Sequence, residues 1–358
     1  MTETWIDPLA SLREQVQTMG KLVEGAELLR RLPDDAVGTG VTAKEAVHRD
    51  GPVTLYRFTP HVERPHPIPM LVVYAIFNRY YMMDLEENRS LIRNLLDRGL
   101  DLYLVDWGYP TRADRWTTLE DYVDGYIDDA VEILRERHEV DAVDVLGVCQ
   151  GGTVSLCYAA LHPEKVKNLV TMVTPVDFEL EDNIIGAWVR AIDVDAMVDS
   201  LGLVPGELLG AGFLLRSPFE RHLRKYVDLV DLLDDEAKLL VFLRMEKWIF
   251  DTPDVPGETL RQWVRDFYQG NKLVKGELEL GGRRVDLRNV TMPVLNVYAE
   301  HDDVAPPASA RALAEHVGTD DYSELTLPVG HIGVYVSSKT QLTLPAALTE
   351  WLTARGGV

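Results

Sequence analysis

Cysteine is nearly absent: of 358 residues only Cys149 and Cys157 carry a thiol, too few for the disulfide framework of a small secreted scaffold. Both fall on one turn-and-helix segment, so a stabilising bridge is not expected and a reducing compartment is. Basic residues are also scarce, 36 Lys and Arg against 58 Asp and Glu, giving a net charge of −22. Such a chain repels nucleic acid and anionic membrane surfaces. No apolar run reaches the length of a bilayer span, and "MTETWIDPLASLREQ" has neither a basic start nor an apolar signal core. The expectation is a cytoplasmic protein. Loops of the G-x-G-x-x-G or Walker kind are missing, and the nine histidines are scattered without metal-ligand spacing. Neither a nucleotide cofactor nor a metal is expected.

What is present is a core of useful size, since 46% of the chain is hydrophobic. Short apolar runs alternate with helix-period segments, the pattern of an α/β fold with a mostly parallel sheet. Strands are expected at 53–58, 70–77, 102–107, 142–148, 168–176, 294–300 and 323–329. Helices are expected at 86–98, 117–137, 152–162, 306–317 and 343–354. The clearest is 117–137, where Leu119, Tyr122, Val123, Tyr126, Ile127, Ala130, Val131 and Leu134 share one face and Thr117 with Glu120 suggests a capping box.

Between 178 and 285 the alternation stops and helical segments take over, which implies a cap inserted between two sheet strands, or else a helical subdomain without gating. The organisation read from this is an N-terminal helical segment (1–50), the first part of the core (51–177), the cap (178–285) and the second part of the core (286–358). Residues 9–32 place Leu12, Val16, Met19, Val23 and Ala26 at helical spacing. That face either packs on the chain's own core or docks a partner subunit.

Gly147-Val148-Cys149-Gln150-Gly151 fits G-x-S-x-G with Cys in place of Ser, at a strand-to-helix transition. A nucleophile there needs small neighbours because the turn is strained, and the start of the following helix favours a thiolate. Gly152 would let helix and strand pack closely. A small buried Cys at a glycine-rich bend is the plainer alternative. An acid and a base in the order nucleophile, acid, His weigh against it. Asp302 follows the strand in "VLNVYAEHDDVAPP", and His331 follows the next strand in "SELTLPVGHIGVYV". His301, Asp303 and Asp177 are rivals, Asp177 at the fold's alternative acid position. His48, His61, His66, His138, His162, His222 and His316 lack the strand-end setting. An oxyanion hole would use the Gln150 amide with that of Ile76 or Phe77. Arg216, Arg221, Arg224 and Lys225 form a basic cluster, either a solvated helix face or a local attraction for an anionic substrate.

"GVCQGG", "AIFNRYYMMDL", "LVDWGYP", "HDDVAPPASA" and "LPVGHIGVYVS" together resemble the catalytic subunit of polyhydroxyalkanoate synthases. The short chain is similar to the two-component class III type. The resemblance implies an α/β-hydrolase core with a cap, and polymerisation of short-chain (R)-3-hydroxyacyl-coenzyme A into polyester through a Cys149 thioester. It further implies His331 as base, Asp302 as third member with a part in activating the incoming 3-hydroxyl, and no cofactor beyond the coenzyme A thioester itself. A second, E-type subunit, a homodimer or hetero-oligomer, and residence on polyester granules are implied too. The basic cluster at 216–225 becomes a candidate coenzyme A site. One departure is visible: the family often has His after the triad Asp, where this chain has Asp303, which could perturb Asp302 if both were desolvated. The alternatives are a Cys-dependent hydrolase, thioesterase or dienelactone-hydrolase-like, and a non-catalytic granule protein.

Overall fold

The computed structural model describes residues 8–33, 36–180, 184–215, 229–233 and 235–356. Eight strands form one sheet: β1 (Lys44–Asp50), β2 (Val53–Phe58), β3 (Met70–Val73), β4 (Leu102–Asp106), β5 (Val143–Val148), β6 (Val166–Met172), β7 (Val294–Ala299) and β8 (Tyr322–Leu327). Their spatial order is β1-β2-β4-β3-β5-β6-β7-β8. β2 is antiparallel to β1 and to β4, and every pair from β4 onward is parallel. Parallel strands need helical crossovers, which cover both faces. Hence β5, "VDVLGV", is buried at every position.

Two apolar clusters sandwich the sheet. One gathers Leu71, Val73, Val145, Val154 and Tyr158 with the helix side of residues 119–134, and the other gathers Val72, Leu146, Val148, Met172 and Val297 with the C-terminal helix. Burying each such side chain stabilises by roughly 1.5–3 kcal/mol. Alternate residues of β3, β5 and β7 therefore lock the sheet between its helices.

The strands and helices stand near where the alternation places them, except that the strand expected at 168–176 ends at Met172, the helix expected at 343–354 begins at Ser338, the helix expected at 306–317 is split at Ala312, and four further differences stand out. β1 was not expected: "KEAVHRD" is an edge strand, mostly exposed, so no apolar run announces it, and the sheet begins inside the segment assigned to helix. The strand at 70–77 stops at Val73, and the chain leaves the sheet as a loop through Ile76 and Phe77. The expected helix at 86–98 is a short hairpin, Asp84–Glu86 with Arg89–Ser90, followed by a helix only at Leu91–Leu96. The helix at 117–137 is capped one residue later than expected. Thr118 and Asp121 exchange the capping bonds, with the Thr118 amide donating to Asp121 Oδ2 at 2.7 Å and the Asp121 amide to Thr118 Oγ1 at 3.3 Å. A wider π-helical turn at Asp121–Ile127 then leads into an α-helix, Asp128–His138. The predicted apolar face is kept, with Leu119, Val123, Ile127, Val131 and Leu134 buried.

α1 (Pro8–Arg31) spans the N-terminal amphipathic pattern. Val16, Met19 and Val23 are exposed, so the chain's own core does not cover that face. α2 (Gln150–Leu161) follows β5, α3 (Glu236–Phe250) belongs to the insertion, and α4 (Gly333–Val336) and α5 (Ser338–Thr353) follow β8. No helix among the described residues is long and apolar enough to cross a membrane.

The described part of 178–285 is mainly helical and has a small core of its own, Val194, Val198, Val204, Val255, Leu260 and Val264, against which Phe77 also packs. α3 is fastened to the sheet domain along its length. Arg244 donates to the carbonyls of Ala36 and Gly38 at 3.0 and 3.1 Å, and Trp248 Nε1 donates to the Arg79 carbonyl at 2.8 Å. Just past its end, Asp251 accepts from Tyr81 and Tyr109, each at 2.7 Å.

Candidate active site

The carboxyl edge of the parallel strands brings the site together. β5 ends at Val148, and Cys149 follows at φ 55°, ψ −123° before α2 begins at Gln150. For a residue with a Cβ this backbone is strained, and such strain persists only where the surroundings enforce it. Here the enforcement is close packing. A Cβ on Gly151 would lie 2.1 Å from the Val73 carbonyl oxygen, and one on Gly152 would lie 1.8 Å from Thr174 Oγ1. Only glycine lets the start of α2 sit so tightly on β3 and on the chain leaving β6. The Cys149 amide is anchored to the Met172 carbonyl at 2.8 Å.

Asp302 leaves the end of β7 and is 5% exposed. Its Oδ1 accepts from the amides of Val304 and Ala305 at 2.8 and 2.9 Å. Its Oδ2 takes His331 Nδ1 at 2.7 Å. His331, in the loop after β8, is 8% exposed. With Nδ1 engaged, Nε2 is the nitrogen available to Cys149, which lies close enough to act on the ring. Burial pulls the imidazole down, but the charges of Asp302 and Cys149 and the hydrogen bonds to both outweigh it, and the His331 pKa is raised to about 10. At neutral pH the ring is an imidazolium held between a carboxylate and a sulfur.

The rivals are elsewhere engaged. Asp177 Oδ1 accepts from Asn271 Nδ2 at 2.8 Å and from the Glu179 amide at 3.0 Å, and the His331 ring turns to Asp302 instead. His301 and Asp303 are exposed, so Asp302 and Asp303 are not desolvated together. His138 pairs with the Tyr103 hydroxyl and His162 with Asp124, each at 2.8 Å. Arg216, Arg221, Arg224, Lys225 and His222 lie outside the described residues.

The loop after β3 meets the elbow through a contact the sequence does not announce. The Phe77 amide donates to Gln150 Oε1 at 3.2 Å. The Gln150 amide, first in α2, has no intrahelical carbonyl to reach. Two N–H groups thus meet at Gln150, its own amide and that of Phe77, which its side-chain oxygen takes up. The Phe77 ring stands edge-on to Trp263 at 5.8 Å, which in turn lies 4.6 Å from Phe267.

Two family models match the chain. One describes the alpha/beta hydrolase fold and covers residues 68–337. The other describes the N-terminus of poly-beta-hydroxybutyrate polymerase (PhaC) and covers residues 33–95. The poly(3-hydroxyalkanoate) polymerase subunit PhaC of Synechocystis is 53% identical over 352 residues, which is 96% of this chain and 93% of that protein. The subunit of the same name from Allochromatium vinosum is 51% identical, over 98% of this chain and 99% of the other. Among solved structures, the monoacylglycerol lipase of Paleococcus ferrophilus superposes with a TM-score of 0.51 at 17% identity, covering 82% of this chain and 96% of that one. That last likeness speaks for the fold alone.

Proposed function

The chain belongs to the poly(3-hydroxyalkanoate) polymerase family as a PhaC-type catalytic subunit of class III, and from this premise we propose that Cys149, His331 and Asp302 are the residues that carry its reaction. The protein is an acyltransferase that converts hydroxyacyl-coenzyme A into polyester with release of coenzyme A. The observation that carries the assignment is the 2.7 Å bond from His331 Nδ1 to Asp302 at the sheet edge, with Cys149 on the strained elbow close enough to act on the same ring.

In this reading the Cys149 thiolate attacks the thioester carbonyl of the substrate, and the His331 proton passes to the departing coenzyme A sulfur. Exchange of one thioester for another is nearly isoenergetic, so the acyl group waits on Cys149. His331, now neutral, then takes the proton of a 3-hydroxyl as its oxygen attacks the waiting thioester, and Cys149 leaves as thiolate. Asp302 holds the ring in the needed tautomer and offsets its charge. Negative charge on the carbonyl oxygen is met by the Gln150 amide together with that of Phe77 or Ile76. For Phe77 the Gln150 side chain has to yield its place, as a weak neutral acceptor does to an oxyanion. Burial of His331 and Asp302 beneath the cap keeps water from competing with the hydroxyl.

The substrate proposed is a short-chain (R)-3-hydroxyacyl thioester, and the proposed organisation is the N-terminal segment, split core and cap drawn above. A second subunit, in a hetero-oligomer or beside a homodimer, suits the bare apolar face of α1. A polyester tethered to Cys149 would hold the enzyme at the surface of its insoluble product, hence on granules. The test is incubation with (R)-3-hydroxybutyryl-coenzyme A. Free coenzyme A, polyester and a hydroxyacyl adduct on Cys149 by mass are expected. Monomeric hydroxyacid without polymer, or an adduct elsewhere, would reject the assignment.

A further inference from the structure

Tyr335, in the short helix α4, lies one turn after His331 and is fully buried, 0% exposed. Its ring stands edge-on to His331 with centroids 6.2 Å apart, and edge-on to Tyr74 at 6.2 Å as well. Its phenol oxygen is buried and has no hydrogen-bond partner. Burial first, then Tyr74, Cys149 and Asp302, hold that hydroxyl far above the ordinary phenol range.

An unpaired buried hydroxyl is unfavourable, and a phenylalanine of the same shape would pack there without that cost. A hydroxyl kept in such a place gains its partner when a ligand arrives. The ligand that reaches Cys149 is an acyl unit with an oxygen at C3, a few ångströms from the thioester carbon. Tyrosine can donate to that oxygen, whereas phenylalanine cannot.

We infer that Tyr335 is a specificity-determining residue whose hydroxyl hydrogen-bonds the 3-hydroxyl of the acyl unit on Cys149, so that hydroxyacyl thioesters are accepted over plain acyl thioesters. The inference rests on Cys149 being the acylated residue. The discrimination arises because a plain acyl chain leaves the phenol unpaired in a closed site, the circumstance in which loss of one substrate hydroxyl is strongly felt.

The experiment is single-turnover acylation by (R)-3-hydroxybutyryl-coenzyme A and by butyryl-coenzyme A, followed by coenzyme A release and intact mass, in the parent and in Tyr335→Phe. The parent should favour the hydroxyacyl substrate, and the variant should lose about tenfold or more of that preference by slowing with the hydroxyacyl substrate while butyryl transfer is unchanged or faster. Equal slowing with both substrates, or an unaltered ratio, overturns the proposal. A parent in which neither substrate acylates Cys149 overturns the catalytic assignment itself, and this inference with it. Melting of the substrate-free proteins gives the control. Tyr335→Phe should melt at the parent's temperature or above it, whereas a clear drop means the hydroxyl already serves the resting fold and overturns the inference.

Discussion

Asp302 and Asp144 are buried carboxylates at opposite ends of the same sheet, 5% and 1% exposed, and their surroundings differ in every respect that matters to a charge. Asp302, beyond the carboxyl end of β7, receives two backbone amides and a cationic imidazole. Asp144, near the start of β5, is met by the side-chain amide of Asn168 at 2.8 Å. Burial wins there over Asn168 and the more distant Lys167, and the Asp144 pKa is pushed up to about 7. The carboxyl edge is furnished with donors because strand ends and helix starts converge on it. At the amino edge a carboxylate is tolerated, and nothing around it makes use of its charge.

The comparison is broken most severely by removing what Asp302 serves. Cys149→Ala should abolish coenzyme A release and polymer formation, a loss of at least about a thousandfold, measured with saturating hydroxyacyl substrate. Asp302→Asn keeps the shape but withdraws the charge that orients and stabilises the imidazolium. Turnover should fall by roughly a hundredfold to ten-thousandfold, and the His331 titration, followed by NMR, should drop from about 10 toward its ordinary range. The sign of the linked stability follows. A histidine whose folded pKa lies above its unfolded value of 6.5 stabilises fully below that value, and the contribution fades as pH rises through about 10. Denaturation from pH 6 to 10 should show that decline in the parent and much less of it in Asp302→Asn.

Asp144 has the opposite linkage, because its folded pKa of about 7 lies above the ordinary aspartate value of 3.8. The folded state favours the protonated acid, so stability falls as pH rises from about 4 to 7. Asp144→Asn should leave turnover unchanged and raise stability above pH 7 by roughly 1–4 kcal/mol, with little gain near pH 3. If Asp144→Asn instead lowers turnover as Asp302→Asn does, the contrast between the two edges is wrong. The smallest effect concerns backbone strain at the elbow. Cys149→Gly and Cys149→Ala both lack the sulfur, but only glycine relaxes φ 55°, so Cys149→Gly should be the more stable of the two by about 1 kcal/mol in urea.

The Asp302 end of this contrast was legible in the sequence, and the Asp144 end was not. Cys149, Asp302 and His331 each stand just after an apolar strand run, in the chain order one fold requires, so strand position alone assembles them. Asp144 lies inside such a run, where nothing local tells a satisfied carboxylate from a strained one. β1 escaped for a related reason: an exposed edge strand has no apolar alternation to read. Tyr335 sits in "GVYV", which reads as core, and its missing hydrogen-bond partner is visible only in three dimensions. The Phe77 to Gln150 contact joins residues 73 positions apart, beyond any spacing rule.

Tyr81 and Tyr109 on the sheet domain both grip Asp251, while Trp248 and Arg244 bind the same stretch to neighbouring carbonyls. One carboxylate thus ties the insertion to two separate stretches of the sheet domain, so that loss of Asp251 would loosen both attachments at a stroke.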